Sequence, residues 1–301
     1  MNSGFAGVPV LAKAQRSLGL EADVATHNPR CINNIEYNYY LPTSTRRQDI
    51  PKRLFRFWQI AHRYDVLHFH YHSALPARLR YADFVLWRLM GKKIVMHYRG
   101  DDIRNHPHAV PRRLAHAILV STPDLLEWEP DALWVPPVRA NNSFVGVEAH
   151  SGPLRIAHAP SDREVKGTYL VIAAVRALQG EGMNVQLDLV EKATFTETMD
   201  RYRMADVVID QLKVGWYGGV SIEAMSLGKP VMCYVRHDLE KLLRPYALWN
   251  TDKYNIKRDI RLLADSPDLR RRLSHGGYEH YCCTHDPVLI ANRLKQIYQS
   301  L

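Results

Sequence analysis

The sequence predicts an α/β protein made of two Rossmann-like halves with parallel sheets, and three observations carry that expectation. Short apolar runs alternate with helix-period segments along all 301 residues. A stretch rich in Pro, Asn, Ser and Gly, residues 136–153, interrupts the alternation near the middle. In the second half the apolar run Asp206-Val-Val-Ile-Asp210 leads through Gly215, Gly218 and Gly219 into a helix. That helix stops at Gly228, and Pro230 bars its continuation.

In the first half, strands are expected at 22–26, 65–70, 93–97, 117–121 and 133–135, with helices at 8–18, 50–62, 77–90 and 111–115. The second half restarts with strand 154–157, helix 167–179, strand 184–190, helix 196–204 and strand 206–209. The glycine-loop helix and three more, at 256–264, 267–281 and 287–298, follow. The expected domains are 1–138, a linker 139–153, a second domain 154–285 and a final helix 286–301 returning toward the first. The chain opens on a glycine loop and a helix with no strand before them, so the first strand is expected to be missing through a start placed downstream of the true one.

Composition narrows the function classes. The net charge is +9, but the basic residues are scattered and no aromatic–basic recognition module accompanies them, so nucleic acid is not the expected partner. An anionic membrane leaflet or phosphorylated substrates fit the charge equally well. There is no apolar run of about 18 residues and no signal-peptide pattern. Cys31, Cys233, Cys282 and Cys283 lack a Cys-x-x-Cys spacing, which suits reduced thiols and a cytoplasmic setting.

A strand, a glycine loop and a helix N-terminus bind phosphate, because unpaired N–H groups and the helix dipole both favour an anion there. Gly218 and Gly219 offer open backbone, Val220 and Ser221 form the first turn, and Glu223 could accept hydrogen bonds from ribose hydroxyls. The segment 155–168 also runs from strand through loop to helix start, and it carries two cations, Arg163 and Lys166. Fixed cations stabilise a departing diphosphate without reorganisation. In the first half, strand 93–97 runs out into His97, Arg99, Asp101 and Asp102, at the strand end where α/β proteins bind ligands. His97 could orient a hydroxyl, whereas the two Asp residues could accept a proton or merely form the turn.

His68, His70 and His72 alternate, so period two puts them on one strand face; zinc is one explanation and a ligand-lining role another. The basic segment 51–58, with Phe55, Phe57 and Trp58, could lie on a membrane surface or face the core.

The segment from Gly215 to Val231 resembles the donor-site motif of retaining glycosyltransferases of the GT-B fold, family 4 or "glycosyl transferases group 1". There a Glu-x7-Glu pair precedes a Met-x-x-Gly-Lys/Arg-Pro-Val stop, here Met225 to Val231. Glu223 matches the second Glu, while Gly215 stands where the first, which touches the donor sugar, would be. The 155–168 segment resembles the family's loop ending in Lys-Gly, although Pro160 stands where an Arg is common. Residues 94–104 resemble its His-x-x-(Gly)-x-Asp stretch, and 276–285 its closing structural piece.

The resemblance implies two Rossmann-like domains facing a cleft, with Gly4 and Gly7 bringing amides near the diphosphate. It assigns His97 and Lys166 to catalysis, with Arg163 taken as a substitute for the Arg that Pro160 replaces, and His70, His72, Arg99, Asp101 and Asp102 to the acceptor side. It implies retaining transfer from a nucleotide-diphosphate sugar, a co-substrate rather than a cofactor, with no metal. The acceptor would be a carbohydrate or lipid-linked molecule, with peripheral association at the inner face of a membrane. Two alternatives stay open: a nucleotide-sugar binder that does not transfer, and a sugar-nucleotide epimerase on the same scaffold.

Overall fold

The structure is a computed structural model that describes residues 7–26, 37–41, 50–71, 73, 75, 81–100, 102–104, 109–140, 142–148 and 150–301. The chain divides into two compact units, one formed by Gly4–Val138 with Pro287–Leu301 and the other containing Arg139–Asp286. Among the described residues no helix is long and apolar enough to cross a membrane.

In the first unit α1 (Gly7–Ser17) precedes the two-residue strands β1 (Ala25–Thr26) and β2 (Tyr39–Tyr40), which pair in parallel. Then come α2 (Ile50–Ala61), β3 (Val66–His70), α3 (Ala82–Leu89), β4 (Lys93–Tyr98), α4 (Ala109–Leu114), β5 (Ala117–Val120) and β6 (Leu133–Trp134). Strands β3 to β6 form a parallel sheet in chain order. Alternation sorts its two faces. Leu67, Phe69, Ile94, Met96 and Tyr98 pack with Phe57 of α2 and with Phe84 and Trp87 of α3. Val95 and Leu119 face the other way, against Leu11 and Ala14 of α1 and Ile290 and Leu294 near the C-terminus.

The second unit contains β7 (Leu154–His158), α5 (Arg163–Lys166), α6 (Thr168–Gly180), β8 (Val185–Leu189), α7 (Phe195–Met204), β9 (Val207–Ile209) and α8 (Gly219–Ser226). It continues through β10 (Val231–Cys233), β11 (Trp249–Asn250), α9 (Ile256–Asp265) and α10 (Pro267–Thr284). The last helix, α11 (Pro287–Gln299), belongs to the first unit and supplies Ile290 and Leu294. The second sheet is parallel in the order β11-β10-β9-β7-β8, so β9 is central and all three of its residues are buried. Ile156, Val207, Ile209 and Met232 pack there against Val171 and Leu178 of α6 and Ile260 and Leu263 of α9.

Several expected elements differ in extent. The expected helix at 167–179 is α6, shifted by one residue, and the short α5 before it was not expected; Gly167 at φ 73°, a left-handed conformation, separates the two. Strand 22–26 shrinks to Ala25–Thr26, and β2, β10 and β11 have no counterpart among the expected strands. Helix 77–90 is described only from Ala82, residues 76–80 lying outside the described set. Residues 139–153, expected as a linker, are held by the second unit: the N–H groups of Val145 and Gly146 both donate to Leu227 O, at 2.9 and 3.0 Å. Phe144 stacks on His275, ring centroids 5.1 Å apart.

Candidate functional site

The chemistry of the second unit gathers at the carboxyl end of its central strand. Asp210 follows β9 directly and is fully buried. Its Oδ1 accepts from Lys166 Nζ at 2.6 Å, and its Oδ2 accepts from Gly218 N–H and Ser221 Oγ, both at 2.7 Å. Three donors are what a buried carboxylate needs to stay ionised. Burial pushes Asp210 up, but the Lys166 charge and the three hydrogen bonds outweigh it and hold the carboxyl below its ordinary value. For Lys166 burial works against the charge and Asp210 more than offsets it, so the ammonium titrates above its usual range.

Glu223 lies one turn into α8, with Oε1 accepting from Arg139 Nε at 2.9 Å. Both side chains are nearly buried, at 11% and 7% exposure, so this is an interior ion pair. Burial raises the Glu223 pKa first; Asp210 adds to that, while Arg139 and Lys166 oppose it. Its Oε2 carries no protein hydrogen bond among the described residues. The Arg139 guanidinium also crosses Gly219 so closely that a Cβ there would lie 2.5 Å from a guanidinium nitrogen. A side chain at 219 would push the Arg139 guanidinium from this position. The amides of Gly219 and Val220, at the helix start, have no protein acceptor among the described residues. The cradle therefore offers two open amides, the free oxygen of Glu223 and two cations to an anionic ligand.

The loop before the cradle is held on both sides. Gln211 Nε2 donates to Trp216 O and Tyr234 O, and its Oε1 accepts from the amides of Lys213 and Val214. Tyr217 OH lies 2.8 Å from the Nε2 of both His280 and His285, tying the loop to the end of α10. Burial lowers His280 to about 4, so the ring is neutral. Gly215 sits at φ +91°, and a Cβ there would be 2.8 Å from Arg236 Cγ. A glutamate at this position does not fit. Gly215→Glu is expected to cost about 1–2 kcal/mol for the left-handed backbone alone, read as a lower urea midpoint; an unchanged midpoint would contradict this.

The expected site residues form two clusters, with others outside both. Lys166, Gly218, Gly219, Val220, Ser221 and Glu223 are brought together. In the first unit Gly7, His97 and Arg99 line one small cavity of about 10 Å³ with Val138 and Leu294. Arg163 joins neither: it is 60% exposed and paired with Glu191 at 2.5 Å. Asp102 accepts from the amides of Arg99 and Gly100, the turn-forming role weighed for it. Gly4, His72 and Asp101 lie outside the described residues.

Sequence reasoning missed Asp210 and Arg139. Asp210 was visible as the strand-end acid, but its partners are 44 and 8 residues away. Arg139 carried no local signal, since its partner is 84 residues on.

The β3–β4 register sets His70 beside His97, and His68 shares their face. Nitrogens of the three rings lie within 4.8 Å of one another, a spacing that invites a metal. The hydrogen bonding does not suit one. Arg99 donates to His70 Nδ1 at 2.7 Å, which leaves the His70 proton on Nε2, and the adjacent guanidinium opposes any cation. Arg99 also donates to Ser121 Oγ, which lies 3.2 Å from His97 Nε2. Burial first, then the Arg99 charge, lowers His68 to about 3 and drives His70 and His97 well below their usual value. The cluster is a set of neutral imidazoles beside one fixed cation, suited to hydroxyl or anionic groups.

No family model and no curated protein matches the chain. Solved structures do. Anabaena HepE in complex with UDP-glucose superposes with a TM-score of 0.69 at 12% identity, covering 100% of this chain and 97% of its own. Sucrose-phosphate synthase from Thermosynechococcus elongatus gives 0.63 at 17% identity, covering 96% and 91%. A Listeria monocytogenes protein described as a UDP-N-acetylglucosamine 2-epimerase gives 0.59 at 13%, covering 98% and 92%. The parallel sheets and these superpositions establish the fold: the chain has the α/β architecture of the GT-B glycosyltransferases.

Proposed function

We propose that the chain is a glycosyltransferase that takes a sugar from a nucleotide-diphosphate donor bound on the second unit. The carrying observation is the cradle itself: Lys166 fixed by Asp210, open amides at Gly219 and Val220, and Glu223 with a free oxygen. Lys166 and Arg139 stabilise the diphosphate, and Glu223 Oε2 accepts from the ribose. Arg139 takes the second-cation role first given to Arg163, because Arg163 is exposed and paired elsewhere. That HepE is known with UDP-glucose favours a nucleotide sugar as ligand.

Transfer breaks the bond from the anomeric carbon to the diphosphate oxygen and forms one from that carbon to the acceptor oxygen. In the retaining course attack comes from the leaving-group side, and the acceptor proton passes to the departing phosphate oxygen. The work of the protein is electrostatic, since Lys166 and the helix N-terminus face the charge that develops. No step uses a metal or a protein nucleophile. The acceptor is a carbohydrate or lipid-linked hydroxyl, met by His97, His70 and Arg99 of the first unit, at the inner face of a membrane.

The experiment is acceptor-dependent release of nucleoside diphosphate from a panel of labelled nucleotide sugars. Lys166→Ala is expected to lower turnover by about 10²–10³-fold, the scale of losing one charge-stabilising donor. The Listeria neighbour motivates one competing outcome: a UDP-sugar converted to its epimer without acceptor would replace transfer with epimerisation.

A further inference from the structure

One side of the first unit carries an aromatic row that its core does not use. In α2, Phe57 and Ala61 turn inward, whereas Phe55 and Trp58 are 57% and 42% exposed. Their rings stack on each other with centroids 5.7 Å apart and planes at 22°. His62 continues the row, its ring 5.7 Å from that of Trp58. Positions 55, 58 and 62 share one helix face, and the exposed Lys52, Arg56 and Arg63 share the adjoining edge. The helix holds no acidic residue.

The neighbouring helix repeats the pattern. Phe84 and Trp87 of α3 enter the same core cluster as Phe57, and Lys92 just beyond α3 donates to His62 O at 2.9 Å. The outer side of α3 leaves Val85, Leu86 and Leu89 exposed, Leu89 to 82%. A cavity of about 670 Å³ opens beside the aromatic row, lined among others by Tyr39, Tyr40, Arg56, Trp58 and Arg63. This unit also holds 20 of the 40 Lys and Arg residues but only 12 of the 31 Asp and Glu, so +8 of the +9 net charge lies here.

We propose that this face docks on an anionic phospholipid bilayer. Phe55, Trp58 and the exposed α3 residues enter the boundary between headgroups and acyl chains, while Lys52, Arg56 and Arg63 meet lipid phosphates. Amphipathic helices of this composition lie in the interface plane, and aromatic rings favour that depth. The apolar row argues against a purely electrostatic partner, and the basic edge argues against a second copy of the same face, whose like charges would meet. The docking does not depend on the proposed sugar transfer, and its test uses no nucleotide.

The full-length chain is sedimented with phosphatidylcholine vesicles and with phosphatidylcholine–phosphatidylglycerol vesicles. Binding is expected only to the anionic vesicles and is expected to weaken as salt rises. The exposed-residue variant F55S/W58S is expected to keep the wild-type melting temperature and bind about tenfold more weakly. K52E/R56E is expected to lose binding to the anionic vesicles. Absence of sedimentation with anionic vesicles at low salt, or equal affinity of F55S/W58S and wild type, overturns the proposal. A wild-type dimer that F55S/W58S converts to monomer reassigns the face to a second copy.

Discussion

Asp210→Ala is expected to destabilise the second unit by about 3–5 kcal/mol, the cost of removing one partner of a buried ion pair. The magnitude follows from what is left behind. Lys166 keeps a buried ammonium with its anion gone, and Gly218 N–H and Ser221 Oγ lose their acceptor together. A urea titration at neutral pH reads the loss directly. The double variant Asp210→Ala/Lys166→Met is expected to recover much of it, because an apolar pair pays no desolvation. A single variant within about 1 kcal/mol of wild type would show that Lys166 has another partner. The pH dependence has a definite sign. Asp210 has a folded-state pKa below its unfolded value, so its contribution is present above the ordinary carboxylate pKa and lost as pH falls through the depressed one.

The second large effect belongs to the first unit and runs over a milder pH range. His68, His70 and His97 bind protons less readily folded than unfolded, so unfolding takes up protons as pH drops below the ordinary histidine value. Their contribution is whole above about pH 6.5 and lost progressively below it, for His68 down to about 3. Between pH 7 and 5 each such ring removes about 2 kcal/mol, and three rings together threaten a marginal domain. Circular dichroism melts over that range should show a steep fall in melting temperature. His68→Gln should flatten the slope by about one proton, and a flat wild-type profile would mean the rings are accessible to water when folded.

The fold was legible wherever an element had enough residues to show its period. β4 and α1 stand within about a residue of expectation, because six and eleven residues suffice for a pattern. β10 and β11 have three and two residues, too few for any periodicity. The cradle of the second unit was half legible. Gly218, Gly219 and Lys166 announce themselves through loop and helix-start chemistry. The sequence placed the Gly218 amide on a ligand phosphate, whereas the structure gives it to Asp210, since a buried acid competes for any nearby donor. Arg139, Asp210 and the union of His97 with His68 and His70 depend on strand register and long-range packing, which no local pattern encodes.

The most direct measurement is calorimetric titration with UDP, GDP and ADP and their nucleosides, using wild type, Lys166→Ala and Glu223→Ala. A nucleotide-sugar site on the second unit predicts that one nucleoside diphosphate binds tightly enough to add about 2.7 kcal/mol of stability at a hundredfold excess over Kd. Lys166→Ala should lose affinity for the diphosphate but little for the nucleoside, and Glu223→Ala should lose both. Absence of binding by every nucleotide, or affinities that neither substitution changes, would contradict the assignment of this cradle to a nucleotide-sugar donor.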